Sequence, residues 1–87
     1  MRVAVYSPGG PLFEGDARSV AATSPEGAFE VLQGHAPMIA QLVSGPLKIA
    51  TSEGEKTFLL QDGYLIVSPQ GEVRVLLRQS GAENFPA

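Results

Sequence analysis

The chain contains no cysteine. It therefore holds no disulfide and no thiolate metal site, a usage expected of a reducing compartment. It has a single histidine, His35. Nucleophilic catalysis would have to place a serine beside that one imidazole, and no Gly-x-Ser-x-Gly elbow supplies it. His35 also lacks the paired spacing from which histidine metal sites are built. Basic residues are few: six Lys and Arg stand against nine Asp and Glu, giving a net charge of −3 and a pI of about 4.9. An acidic chain is a poor partner for nucleic acid or anionic lipid. The basic residues are scattered and have no row of aromatics beside them, so there is no platform for single strands. Gly9-Gly10 is not followed by Lys-Ser or Lys-Thr, which removes a phosphate loop. No apolar run approaches the roughly 20 residues of a membrane-spanning helix. The first residues, Met1 to Tyr6, meet Ser7-Pro8-Gly9-Gly10 too soon for the apolar core of a signal peptide. Any link to a membrane is expected to run through another protein.

What the chain does have is punctuation. Ten Gly and seven Pro break 87 residues into short runs rich in Val, Ile, Leu, Phe and Thr. Segments such as Ser24-Pro25-Glu26-Gly27, Asp62-Gly63 and Pro69-Gln70-Gly71 carry the residues that turn dihedrals favour. No stretch of about 11 residues keeps a helical apolar period free of Gly or Pro. The pattern predicts an all-β, flattened two-sheet sandwich of nine to ten short strands. Strands are expected over 2–7, 11–16, 18–23, 27–32, 38–43, 46–51, 56–61, 63–68 and 72–78. One domain over 1–79 is expected, with 80–87 as a short tail and no helical domain.

Alternation of period two is clear in places. Val73, Val75 and Leu77 share one strand face, with Glu72, Arg74 and Arg78 opposite. Elsewhere it breaks down: Phe58-Leu59-Leu60, Tyr64-Leu65-Ile66-Val67 and Val75-Leu76-Leu77 are apolar on both faces. One face fills a core, and the other is expected to meet a protein partner, because the tail offers only Phe85 to cover it. Glu26 and Glu30 would share a strand face, and a solvated edge is expected rather than a catalytic pair. Gly34-His35-Ala36-Pro37, set between two apolar runs, predicts a rigid loop. Its histidine either braces a neighbouring loop or projects as a contact residue.

Several segments in order resemble a known family. They are Leu12-Phe13-Glu14-Gly15, the run from Ser24 through Gly34-His35-Ala36-Pro37 to Met38, and Asp62-Gly63-Tyr64-Leu65-Ile66-Val67. Together they resemble the N-terminal β-sandwich domain of the epsilon subunit of F-type ATP synthase, called delta in mitochondria. The resemblance covers residues 2–78 and is carried above all by the Gly-His-Ala-Pro spacing. It implies a non-catalytic central-stalk (rotor) subunit without a cofactor. Such a subunit binds the gamma subunit and the polar loops of the c-ring, and through gamma the catalytic head, so coupling proton transport to ATP synthesis. It implies a peripheral location at the cytoplasmic face of the bacterial inner membrane. It places c-ring contacts at Glu26, Ala28 and His35, and gamma contacts at Ser7, Leu12, Ile39, Ala40, Leu59, Gln61 and Leu76. Many members have an acidic residue where this chain has Ala28, which moves the polar contact toward Glu26 or Glu30. Ile66 replaces a frequent Glu and adds to the apolar surface. The short stretch after the last expected strand resembles forms that lack the C-terminal helical hairpin, so inhibition and ATP sensing by that hairpin are not expected. The competing reading is a free-standing β-sandwich that binds a ligand, which would need a concave pocket with convergent polar groups.

Overall fold

A computed structural model describes residues 1–60, 62–78 and 83–86. Among these, the chain forms ten strands and no helix: β1 (Arg2–Ser7), β2 (Gly10–Asp16), β3 (Ser19–Ser24), β4 (Gly27–Leu32), β5 (Met38–Leu42), β6 (Gly45–Thr51), β7 (Gly54–Leu60), β8 (Gly63–Val67), β9 (Val73–Leu77) and β10 (Glu83–Pro86). They make two five-stranded sheets, in the orders β2-β1-β9-β8-β5 and β10-β7-β6-β3-β4. The expected two-sheet sandwich is thus borne out. No helix among the described residues is long and apolar enough to cross a membrane.

The alternating strands behave as their period dictates. In β9, Val73, Val75 and Leu77 are buried while Arg74 and Leu76 are exposed. In β6, Leu47, Ile49 and Thr51 point inward and Lys48 outward. In β1, Val3 and Val5 are buried. The inward residues of both sheets form one aliphatic cluster, with Val20 and Val31 from β3 and β4 and Leu65 and Val67 from β8. Each fully buried Val, Leu or Ile contributes about 1.5–3 kcal/mol of transfer free energy, against the entropy of ordering the chain. Among the described residues the buried polar one, Thr51, is satisfied within its turn: its hydroxyl donates to the Gly54 carbonyl at 2.8 Å and accepts from the Glu53 amide at 3.1 Å.

Three features were not legible in the alternation. β1 pairs with β9 in parallel and with β2 antiparallel, which puts the first strand inside its sheet. The β1–β2 ladder shifts between Val5 and Tyr6, because Val5 faces Phe13 and Tyr6 faces Pro11. Leu12 is the extra residue of this bulge, and a bulge turns its side chain outward. Lastly, residues 83–86 were expected in a tail, yet they pair with β7 from Glu83 opposite Leu59 to Pro86 opposite Lys56. Four residues containing a proline carry no readable period. Backbone pairing to the open edge of β7 decides their place, and an edge strand tolerates the proline.

Gly63 shows why the Asp62-Gly63 turn needs glycine. A methyl group built there would collide with the carbonyl oxygen of Leu76, with Leu77 Cα and Leu76 C each only 3.2 Å away. All of these are backbone atoms of the adjacent strand and cannot swing aside. Gly63→Ala should therefore lower stability by at least about 2 kcal/mol. In a domain this small that corresponds to a fall in melting temperature of roughly 8–16 °C. An unchanged thermal melt would refute this account of the turn.

Candidate functional site

The outer face of the first sheet follows strand by strand from the register. One row across it runs Tyr6, Leu76, Tyr64, Gln41. The next runs Glu14, Ala4, Arg74, Ile66, Ile39. Leu12 sits beside the first row at the bulge. Leu12, Ile39, Tyr64 and Leu76 are all exposed, Ile39 by 74%. Large apolar side chains on adjacent strands of one face form a continuous surface, which is the arrangement expected of a protein-binding patch. At its Asp62 end the face is closed by an ion pair, with Arg78 Nη1 donating to Asp62 Oδ2 at 3.2 Å. Toward the opposite end it becomes charged, with Arg2, Glu14, Asp16, Glu72 and Arg74.

The residues expected to meet gamma do not all fall on this face. Leu12, Ile39 and Leu76 do. Leu59 lies in the other sheet opposite Pro46, and its neighbour Phe58 is buried. It therefore points out from the opposite side of the sandwich. The doubly apolar runs of β8 and β9 share an outer face, but that of β7 does not share it. Ala40 pairs with buried Leu65 and faces the interior, half-buried. Ser7 serves its own turn, its hydroxyl donating to the Gly10 carbonyl at 3.0 Å. Gln61 lies outside the described residues. Tyr6 was missed by sequence reading, and Tyr64 was read only as part of a doubly apolar run, not as a gamma contact. What joins them is their register with Leu76, and register across a sheet cannot be read from one chain.

The expected c-ring residues lie along the other side edge, where β4 and β5 border the gap between sheets. An open groove of about 520 Å³ runs there, lined by Ser24, Glu26, Phe29, Glu30, His35 and Ile39 among others. The β3–β4 turn stands at one end. Glu26 is exposed, its amide donating to Ser24 Oγ at 3.2 Å, while the Ser24 hydroxyl reaches both Glu26 Oε1 and the Gly27 carbonyl. Ala28 is exposed on β4. His35 follows the far end of that strand, its amide donating to the Leu32 carbonyl at 3.1 Å. Between the two lie the six residues of β4, about 20 Å of extended chain, followed by Gln33 and Gly34. Glu26 and His35 thus mark the ends of one edge rather than a single cluster. Glu30 faces outward opposite Ala21, while Glu26 belongs to the turn, so the two carboxylates are not a facing pair.

Gly34, at φ +88°, makes the loop that presents the histidine. The imidazole is exposed, and its Nδ1 lies 2.7 Å from the Ala36 carbonyl. A carbonyl only accepts, so this contact is a hydrogen bond in the forms that carry a proton on Nδ1. No group of three or more potential metal ligands occurs among the described residues.

Comparison with known proteins places the chain among relatives. A family model described as the ATP synthase delta/epsilon chain β-sandwich domain matches residues 1–80. The ATP synthase epsilon chain of Anoxybacillus flavithermus is 32% identical over 83 residues, covering 95% of this chain and 60% of that protein. That of Chlorobaculum tepidum is 37% identical over 76 residues, covering 86% of this chain and 84% of that protein. This chain thus spans less than two thirds of the length of the first relative. Among solved structures, a chain of the Euglena gracilis mitochondrial ATP synthase, seen by cryo-electron microscopy, superposes with a TM-score of 0.83 at 19% identity. The match covers 94% of this chain and 51% of that one. A chain from the central stalk and c-ring of the Tetrahymena thermophila mitochondrial enzyme gives 0.79 at 20% identity, covering 98% and 65%. At these identities the structural likeness establishes the fold.

The loop separates into a folding part and a presenting part. His35→Ala should change stability by less than about 0.5 kcal/mol, as an exposed side chain bonded only to its own neighbour. Gly34→Ala should cost roughly 1 kcal/mol or more, because an alanine must adopt the left-handed backbone there. Urea unfolding midpoints check both. Equal losses would mean that the histidine braces the fold.

Proposed function

The chain belongs to the family of the ATP synthase delta/epsilon β-sandwich domain, and on that footing we propose that it is a non-catalytic rotor subunit of an F-type ATP synthase. It joins the gamma subunit to the c-ring, so that proton-driven rotation reaches the catalytic head through rigid contacts. The observation that carries this reading is the apolar outer row Leu12, Tyr6, Leu76 and Tyr64, continued by Ile66 and Ile39. This face docks on gamma. The edge bordered by β4 and β5, with Glu26, Ala28 and His35, turns to the polar loops of the c-ring.

Several properties suit the role. A sandwich with one shared core transmits force without an internal hinge, because close-packed interiors yield little. A net charge of −3 gives no attraction to anionic lipid, so the subunit reaches the cytoplasmic face of the membrane only through its protein partners. Contact residues with no nucleophile–base pair among them suit coupling rather than catalysis.

Charge placed on the apolar row tests the docking face. Leu76→Asp and Tyr64→Asp should each lower co-purification with gamma at least tenfold while leaving the thermal melt nearly unchanged, since both side chains are exposed. Thr57→Asp, on the other sheet's outer face, serves as control. Leu59→Asp should also bind gamma normally if gamma rests on the first sheet alone. For the c-ring edge, Glu26→Ala combined with His35→Ala should lower ATP-driven proton pumping by membrane vesicles at least twofold, with hydrolysis by the detached head unchanged. Full gamma binding by both Leu76→Asp and Tyr64→Asp would overturn the assignment of the face.

A further inference from the structure

The charged half of the first sheet's outer face contains a small cup. Its floor is Ala4, whose methyl group leaves a gap between longer neighbours. Two residues along β1 in either direction are Arg2 and Tyr6, on the same face. On the adjacent strands, Glu14 and Arg74 stand directly opposite Ala4. Glu72 completes the lining, with its carboxylate 4.0 Å from Arg74 Nη2. The space is about 160 Å³. That is well below the roughly 300–1,000 Å³ of small-molecule sites, and it suits one inserted side chain.

We infer that this cup is a socket for a single carboxamide side chain, Asn or Gln, of the gamma subunit that docks on the same face. The inference rests on the docking face proposed above. Two observations commit it to this occupant. The cup shares Tyr6 with the apolar row, so a partner covering Leu76 and Tyr64 also covers the cup. The ring of charged groups contains two guanidiniums, Arg2 and Arg74, and two carboxylates, Glu14 and Glu72. An inserted ammonium or carboxylate would meet like charges as well as opposite ones in this ring, at the cost of leaving water. A carboxamide accepts from a guanidinium through its oxygen and donates to a carboxylate through its nitrogen, and satisfies both kinds of wall without a net charge. An apolar side chain would bury the charged groups without replacing their water. The apolar row thus supplies binding area, and the socket fixes where along the sheet the partner sits.

Filling the cup tests this. Binding of purified gamma to the full chain is measured by calorimetric titration for Ala4→Leu, Ala4→Gln, Leu76→Asp and the control Ala21→Leu on the opposite outer face. Thermal melts confirm that each variant is folded. The expected result is at least tenfold weaker binding for Ala4→Leu and for Ala4→Gln, which occupies the cup even if the leucine variant folds poorly. Ala21→Leu should stay within threefold of the parent. Glu14→Gln and Arg74→Gln should each weaken binding about three- to tenfold, as each removes one partner of the carboxamide. If Leu76→Asp weakens binding while the folded Ala4 variants stay within threefold, the face is right and the socket is wrong. If neither does, the docking face and the socket both fall.

Discussion

The packing of Val3, Val5, Leu65, Val73 and Val75 with Leu47, Ile49, Val20 and Val31 between two sheets sets every other position in this protein. Strand side chains alternate with a period of two. Burying one set therefore exposes the other with no freedom of choice. Val73, Val75 and Leu77 inside mean Arg74 and Leu76 outside. Val3 and Val5 inside mean Arg2, Ala4 and Tyr6 outside. The apolar row and the cup over Ala4 are consequences of core packing, and a slip of one residue in β1 or β9 would destroy both.

That coupling suits the mechanical role proposed above. A contact residue on a loop can be displaced by a few ångströms at little cost. A contact residue in the middle of a five-stranded sheet moves only with its neighbours, whose inward side chains are close-packed. Tyr6, Leu76 and Tyr64 are held in this way. The elements proposed to face the c-ring are different in kind. The β3–β4 turn is secured by Ser24, and the His35 loop by Gly34 and the bond to the Leu32 carbonyl. A small residue set at each end of one edge presents polar groups outward.

The sheet edges also bear on how this surface stays selective. β2 is blunted by Pro11, which has no amide to donate, and by the bulge at Leu12. β7 is covered by β10. These devices limit backbone pairing at those two places, while β4, β5 and β10 form the other sheet edges.

Much of this was legible in the residues alone. Turn residues at short intervals, with no helical period, were enough for an all-β sandwich. Strict alternation in β9 was enough to name its buried side, because one strand's faces follow from its own period. The Gly34-His35-Ala36-Pro37 loop was legible too, since the constraint there is local, but whether its histidine braced a neighbouring loop or faced outward was not. Tertiary structure alone decided which strands became neighbours, because hydrogen-bonded pairing joins residues far apart in sequence. It placed β1 beside β9, brought Tyr6 and Tyr64 into register with Leu76, and sent Leu59 to the opposite side from it. It turned Ala40 inward and recruited residues 83–86 as a strand. A doubly apolar run reveals that a strand has two busy faces, but only the sheet to which it belongs determines what its outer face can touch.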